Sequence, residues 1–218
     1  MMKLYGVGVS NYYNIVKLAL LEKQLDFEEV WTPPAQTPEV LHHSPLGKIP
    51  FFQHQGQYIS ESQAILFYLE VYQPSPRLYP TSAPRAALAQ QIHQFVDLYI
   101  DAPARRLLGM AFFGAPRDQP LIDQVEKELK HNMAALNSII SVSPYIAGEQ
   151  LSHADLAAYM TFRLAQGVCE QLGCSDPLAQ IPGIGVYMEQ MEQRPSVQKV
   201  LADRAAAMAK IFAPRHPD

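Results

Sequence analysis

Ser10 follows a short β-type run and immediately precedes a helical one, a place where backbone N–H groups converge and favour an anion. Two readings fit it. Its hydroxyl either caps the helix by accepting from the N–H of residue 12 or 13, or it is offered to a ligand anion. Further on, Gly47-Lys48-Ile49-Pro50 opens another strand, and an X-Pro bond in such a turn is a position where the cis form occurs. A cis bond would turn the amide and carbonyl of Ile49 outward to pair with an extended peptide; an ordinary trans proline starting a strand is the plainer reading. Glu61-Ser62 stands one turn into the second helical run. Ser60 and Gln63 fit an S-x-x-Q capping box, which by itself accounts for the serines. The sharper alternative gives Ser62 and the first helical N–H groups a carboxylate to hold and Glu61 an ammonium, so that together they grip an amino-acid zwitterion. Ser152-His153-Ala154-Asp155 is an S-x-x-D box, read as structural.

Other chemistry finds little support. His42 and His43 adjoin without a further ligand at metal spacing, and there is no H-E-x-x-H, G-x-S-x-G, P-loop or G-x-G-x-x-G after a strand. No metal is expected. Cys169 and Cys174 have neither C-x-x-C nor zinc spacing and read as plain thiols. Tyr99, Met110, Phe112 and Phe113 read individually as core, with an apolar pocket wall as the alternative. The 218 residues carry 17 Lys+Arg against 21 Asp+Glu, a net charge of −4, and no basic run exceeds a pair. A nucleic-acid or anionic-membrane partner is therefore not expected. No stretch of 18 apolar residues occurs, and the start has no signal-peptide core. The expectation is a soluble, cytoplasmic protein.

The elements that must position these residues change in texture along the chain. Lys3–Val9 reads as a strand, Asn11–Lys23 as an amphipathic helix, and Phe27–Trp31 as a second strand; strand, helix, strand at this spacing is a βαβ unit with parallel strands. A proline-rich connector follows. Ile49–Phe52 and Gln57–Ile59 form a hairpin around His54-Gln55-Gly56, and Ser60–Val71 is helical again. Four prolines between Gln73 and Pro84 mark a linker. Beyond it the strand signal vanishes, and Arg85–Met110, Asp118–Ser141, Ser152–Gly167, Ile184–Gln193 and Ser196–Ile211 carry helical periodicity. The fold class is α/β followed by all-α.

In this order and spacing, Leu4-Tyr5-Gly6 running into Ser10–Lys17, Ser44-Pro45-Leu46-Gly47-Lys48-Ile49-Pro50, Glu61-Ser62-Gln63-Ala64-Ile65, Leu151–Ala158 and Arg194-Pro195-Ser196-Val197 resemble the soluble glutathione S-transferase family, serine-type and bacterial-like. The resemblance spans essentially the whole chain. It implies a thioredoxin-like glutathione-binding domain over residues 1–76, a linker over 77–87, a helical bundle domain over 88–218, and a homodimer. It places Ser10 on the glutathione thiolate, Ile49 before a cis Pro50 on the cysteinyl backbone, Glu61 and Ser62 on the γ-glutamyl group, and Lys48 near the glycyl carboxylate. This chain departs from the family pattern after the serine, where Asn11, Tyr12 and Tyr13 stand, so Asn11 or Tyr12 is a further contact for the sulfur. Ser44 replaces a common asparagine. Tyr5 is one residue out of step with a catalytic tyrosine and reads as a strand residue.

The implied activity is conjugation of glutathione to a small, largely apolar electrophile, in the service of detoxification. Two alternatives stay open: a glutathione-dependent isomerase or peroxidase on the same scaffold, and a non-catalytic glutathione-binding regulatory protein. A thiol–disulfide reductase is disfavoured, because it needs a protein thiol and no Cys precedes residue 169.

Overall fold

The computed structural model describes residues 1–212; residues 213–218, which the sequence reading includes in the helical domain, lie outside the described residues. The N-terminal part runs β1 (Met2–Gly6), α1 (Asn11–Glu22), β2 (Phe27–Trp31), α2 (Pro38–His43), β3 (Phe51–His54), β4 (Gln57–Ser60) and α3 (Ser62–Tyr72). The sheet order is β2-β1-β3-β4. β2 pairs parallel to β1, closing the expected βαβ unit, while β3 and β4 pair antiparallel. This is the thioredoxin-like arrangement.

Period-2 alternation gives the sheet two unlike faces. Leu4 and its partner Phe52 are fully buried. They share a face with Glu29, which Lys17 of α1 grips at 2.7 Å, and Phe52 lies 5.9 Å from the Tyr68 ring of α3. Tyr5, Phe51 and Tyr58 lie on the opposite face, where His43 of α2 stacks on Tyr58 at 3.6 Å.

Several boundaries differ from expectation. β1 stops at Gly6 rather than Val9 because the chain must turn there beneath the Tyr13 ring; a Cβ at Gly6 would lie 2.4 Å from that ring. The proline-rich connector contains a helix, α2. Thr37 takes the N-cap position, Pro38 is in the first turn, and Glu39 is the first-turn acid, the order in which a missing N–H costs nothing and a negative charge is favoured. The hairpin turn is Gln55-Gly56, both at positive φ (50° and 79°), which matches the strand twist. The capping box expected at Ser60 and Gln63 is not formed. Ser60 is held in the ladder opposite Phe51, so α3 starts two residues later, with Glu61 at φ 69° as its N-cap and no side-chain cap bond.

The chain divides into two compact units. The first joins Met1–Arg77 to the C-terminal segment from Glu192. In it the C-terminal segment binds α1 through charges: Lys17 reaches Asp203 at 2.7 Å, and Arg194, just before the last helix, reaches Glu22 at 2.6 Å. Lys23, at the end of α1, has a fully buried side chain that binds Glu70 at 2.7 Å and the carbonyls of Gln73 and Pro76 at 2.8 and 2.9 Å. A buried ammonium with three oxygen partners is adequately satisfied, and it orders the start of the proline-rich linker.

The second unit, Leu78–Met191, is helical: α4 (Ala83–Phe95), a π-helical stretch (Val96–Asp101), α5 (Ala102–Arg105), α6 (Leu108–Phe112), α7 (Gln119–Asn137), α8 (His153–Leu172) and α9 (Ile184–Glu192), with α10 (Pro195–Phe212) being the last helix just described. The single helix expected over Arg85–Met110 is broken. Pro103 has no N–H for the Tyr99 carbonyl; the turns before it widen, and Asn132 of α7 donates to that carbonyl instead at 2.8 Å. The central helix is α8, buried continuously from His153 to Phe162, with the polar His153, Asp155 and Thr161 among its buried side chains. Its predicted capping box forms, with Asp155 accepting from the Ser152 amide and hydroxyl at 2.8 Å each and from the Ile146 amide at 2.7 Å. It runs past the expected stop at Gly167 to a left-handed Gly173 at φ 75°. Tyr99 and Phe113, expected in the core, are 48% and 64% exposed.

Candidate functional site

Strand register gathers the sequence-derived candidates at one end of the sheet. Tyr5, near the end of β1, pairs with Phe51, the first residue of β3, and Phe51 pairs with Ser60, the last of β4. The segments that follow β1, precede β3 and follow β4 therefore emerge together. They carry Ser10 with Asn11 and Tyr12, Lys48-Ile49-Pro50, and Glu61-Ser62 respectively. Both α1 and α3 begin at this end, so two sets of unsatisfied helix N–H groups face it.

Ser10 is the N-cap of α1, with φ −72° and ψ 129°. Its backbone N–H donates to the Val7 carbonyl at 2.9 Å, and its hydroxyl oxygen accepts from the Tyr13 amide at 3.4 Å. Capping and ligand binding are thus compatible. The cap uses a lone pair, and the hydroxyl proton is left to donate. α1 has no acidic residue in its first turn, so the positive end of its dipole is not neutralised locally. Asn14 fixes the approach loop by donating to the Gly8 carbonyl at 2.8 Å. Asn11 is buried at 3% exposure, and Tyr12 is half-buried.

The second segment is equally constrained. Ser44 Oγ donates to the Lys48 carbonyl at 2.8 Å, and the Gly47 amide donates to the Ser44 carbonyl at 2.7 Å. Gly47 has φ 64°, and a Cβ there would sit 2.2 Å from the Ala35 carbonyl oxygen, so only glycine fits. The Ile49–Pro50 peptide is cis, as the resemblance implies. Lys48 is exposed. In the third segment Ser62 is 8% exposed at the first position of α3, and Glu61 is exposed with left-handed backbone. Neither Lys48 nor Glu61 has an ion-pair partner among the described residues. A cation, an anion and two helix N-termini therefore share one end of the sheet without cancelling one another within the chain.

Two further tyrosines near this end, Tyr13 and Tyr5, hold their phenol protons strongly. Burial, and then the Glu29 carboxylate that its hydroxyl meets at 2.6 Å, push the Tyr13 phenol far above its ordinary range. Burial, then a hydrogen bond with Tyr58, raise Tyr5 to about 12. Sequence reasoning missed the scaffold of Tyr13, Lys17, Glu29 and Asp203. Lys17 sits inside the apolar stripe of α1 with only 2% of its side chain exposed, and a lysine in such a stripe is the signal that an internal counter-charge is needed.

Residues 4–77 match the family model described as the N-terminal domain of glutathione S-transferases, and residues 112–204 match that of their C-terminal domain. A glutathione S-transferase from Pseudomonas putida is 36% identical over 208 residues, covering 95% of this chain and 94% of that one. Glutathione transferase F2 of Populus trichocarpa superposes with a TM-score of 0.81 at 22% identity, covering 94% of this chain and 100% of its own. A glutathione S-transferase I solved with lactoylglutathione bound superposes with a TM-score of 0.75 at 25% identity, covering 93% of this chain and 99% of its own.

Proposed function

The chain belongs to the glutathione S-transferase family, and from that premise we propose that it activates the glutathione thiol as a thiolate at Ser10 and conjugates it to small, largely apolar electrophiles. The observation that carries this reading is the state of Ser10: a hydroxyl at a helix N-terminus whose lone pair is used by the Tyr13 amide and whose proton is not.

The magnitudes are sufficient. A free thiol titrates near ~8.5, and lowering it by about two units needs roughly 2.7 kcal/mol of preference for the anion. A hydrogen bond to a charged acceptor contributes ~1.5–3 kcal/mol and a helix N-terminus ~0.3–1. No general base is required. Asn11 and Tyr12 flank the sulfur's position. Glu61 holds the γ-glutamyl ammonium, Ser62 and the first N–H groups of α3 hold its carboxylate, Ile49 pairs its backbone with the cysteinyl unit before Pro50, and Lys48 approaches the glycyl carboxylate. Residues 1–76 act as the glutathione-binding domain, and the helices that follow the 77–87 linker supply the wall for the electrophile. The relative solved with lactoylglutathione supports a glutathione conjugate as the ligand. The protein works as a cytoplasmic homodimer in detoxification.

Ultraviolet difference titration of glutathione bound to the intact protein tests the reading. The expected midpoint lies one to two pH units below that of free glutathione. A bound thiol that titrates with the free one would overturn it.

A further inference from the structure

A pocket of about 480 Å³ opens on the sheet face away from α1 and α3, between the sheet and the segment that leads into α2. That volume falls within the range of roughly 300–1,000 Å³ typical of small-molecule sites. None of Ser10, Lys48, Ile49, Glu61 or Ser62 lines it, so it is not part of the glutathione site.

Its sheet side is built from two ring stacks. Tyr5 and Phe51 lie parallel with centroids 4.5 Å apart, and His43 lies on Tyr58 at 3.6 Å. The two stacks are inclined to each other, Tyr5 to Tyr58 by 46° at 6.1 Å. That spacing leaves no room for a further ring between them, so a ligand must lie against the stacks, facing the connector. Trp31, the only tryptophan of the chain, also lines the pocket and is 75% exposed.

Glu39 is the only carboxylate of the lining, which holds no lysine or arginine; its other ionisable side chains are His43, Tyr5 and Tyr58. Glu39 has no ion-pair partner among the described residues. Lys3, on the same sheet face, is already paired with Glu28 at 3.0 Å. Aromatic faces attract cations and repel anions, and the carboxylate adds to that preference. We propose that this pocket is a second ligand site, independent of glutathione, that takes a flat aromatic cation with its rings against Tyr5 and Tyr58 and its charge toward Glu39.

The test uses proflavine, a planar tricyclic cation, and anthracene-2-sulfonate, three fused rings of opposite charge, titrated calorimetrically into the full-length protein with Trp31 fluorescence followed in parallel. Saturable binding of one proflavine per chain, unchanged by saturating glutathione, with the sulfonate bound at least tenfold more weakly, is the expected result. Tyr58→Ala should weaken proflavine about tenfold, the size of one partly desolvated cation–π contact, and Glu39→Gln severalfold, while the conjugation rate of both variants stays at the wild-type level. Glu39 lies at the surface, so Glu39→Gln alone decides the matter if Tyr58→Ala does not fold. Equal affinity for the two probes, displacement of proflavine by glutathione, or wild-type affinity in Glu39→Gln would each overturn the proposal. Loss of glutathione chemistry with proflavine binding intact would overturn the transferase mechanism and leave this site standing.

Discussion

At the scale of single residues, the decisive question is whether the hydroxyl of Ser10 does more than cap. A cap alone and a thiolate donor make different predictions for Ser10→Ala. If the hydroxyl donates to the sulfur, glutathione affinity stays nearly intact while the bound thiol's pKa rises by about one to two units, since the lost charge-assisted bond is worth ~1.5–3 kcal/mol. Conjugation of a reactive aromatic halide at slightly acid pH then falls by about tenfold or more, and raising the pH recovers most of it. If Ser10 is only a cap, the variant loses ~0.5–2 kcal/mol of stability and its pH–rate profile does not move. A profile that moves instead in Asn11→Ala or Tyr12→Phe would transfer the role to the neighbour. Glu61→Gln and Ser62→Ala give the complementary signature in the same assays: weaker glutathione binding by roughly 1.5–3 kcal/mol with the bound thiol's pKa unmoved.

At the scale of elements, the entry of α8 contains a titratable group that the chemistry does not use. His153, the first residue of α8, is fully buried. Tyr79 stacks on its ring at 3.9 Å, and its Nδ1 meets His93 Nδ1 of α4 at 2.9 Å, so one proton must lie between the two rings. His93 Nε2 faces Asp97 at 3.5 Å. Burial, then the nearby His93, push His153 down to about 3. An unfolded histidine titrates near ~6.5, so the unfolded chain binds the extra proton first as the pH falls. The stability from keeping His153 neutral is complete above about 6.5 and is lost progressively toward pH 3. Asp155, raised by burial to about 6 despite the hydrogen bonds it accepts, acts in the opposite direction between about pH 4 and 6. The difference between wild type and His153→Leu isolates the histidine. Denaturant unfolding at pH 7 and at pH 4.5 should show the wild type losing on the order of 2 kcal/mol more than the variant over that interval, at ~1.4 kcal/mol per pH unit. Parallel losses would mean that the ring is protonated in the folded state.

At the scale of the whole molecule, α3 presents Phe67 and Val71, 61% and 65% exposed and one turn apart. An exposed apolar ridge of this kind marks an interaction surface, which for the proposed homodimer receives a second copy of the chain. Phe67→Glu combined with Val71→Glu should sediment as a monomer under conditions where the wild type sediments as a dimer, with its far-ultraviolet circular dichroism unchanged because neither side chain is in the core. A double variant that remains dimeric would move the interface elsewhere.

The βαβ unit, the β3–β4 hairpin and the change from an α/β part to a helical one are legible in the sequence, and the proposed glutathione-binding segments in its family resemblance. Each is written in local chemistry: β-type runs closed by glycines, a 3.6-residue stripe, Gly47 and Pro50 at a strand entry, and a capping box at Ser152. What the tertiary structure decided are the places where a distant partner overrides a local preference. Ser60 fits a capping box but lies in a ladder opposite Phe51, because strand pairing satisfies its backbone before the helix can start. The helical period from Arg85 runs through Pro103, yet the break there is tolerated because Asn132, from another helix, supplies the missing donor to Tyr99. Lys17 reads as a flaw in an apolar stripe until Glu29 and Asp203 come to it from β2 and α10. The pocket beside Tyr58 has no local signature at all. It arises from the pairing register that sets Tyr5, Phe51 and Tyr58 on one face of the sheet, and register depends on contacts between residues far apart in the chain.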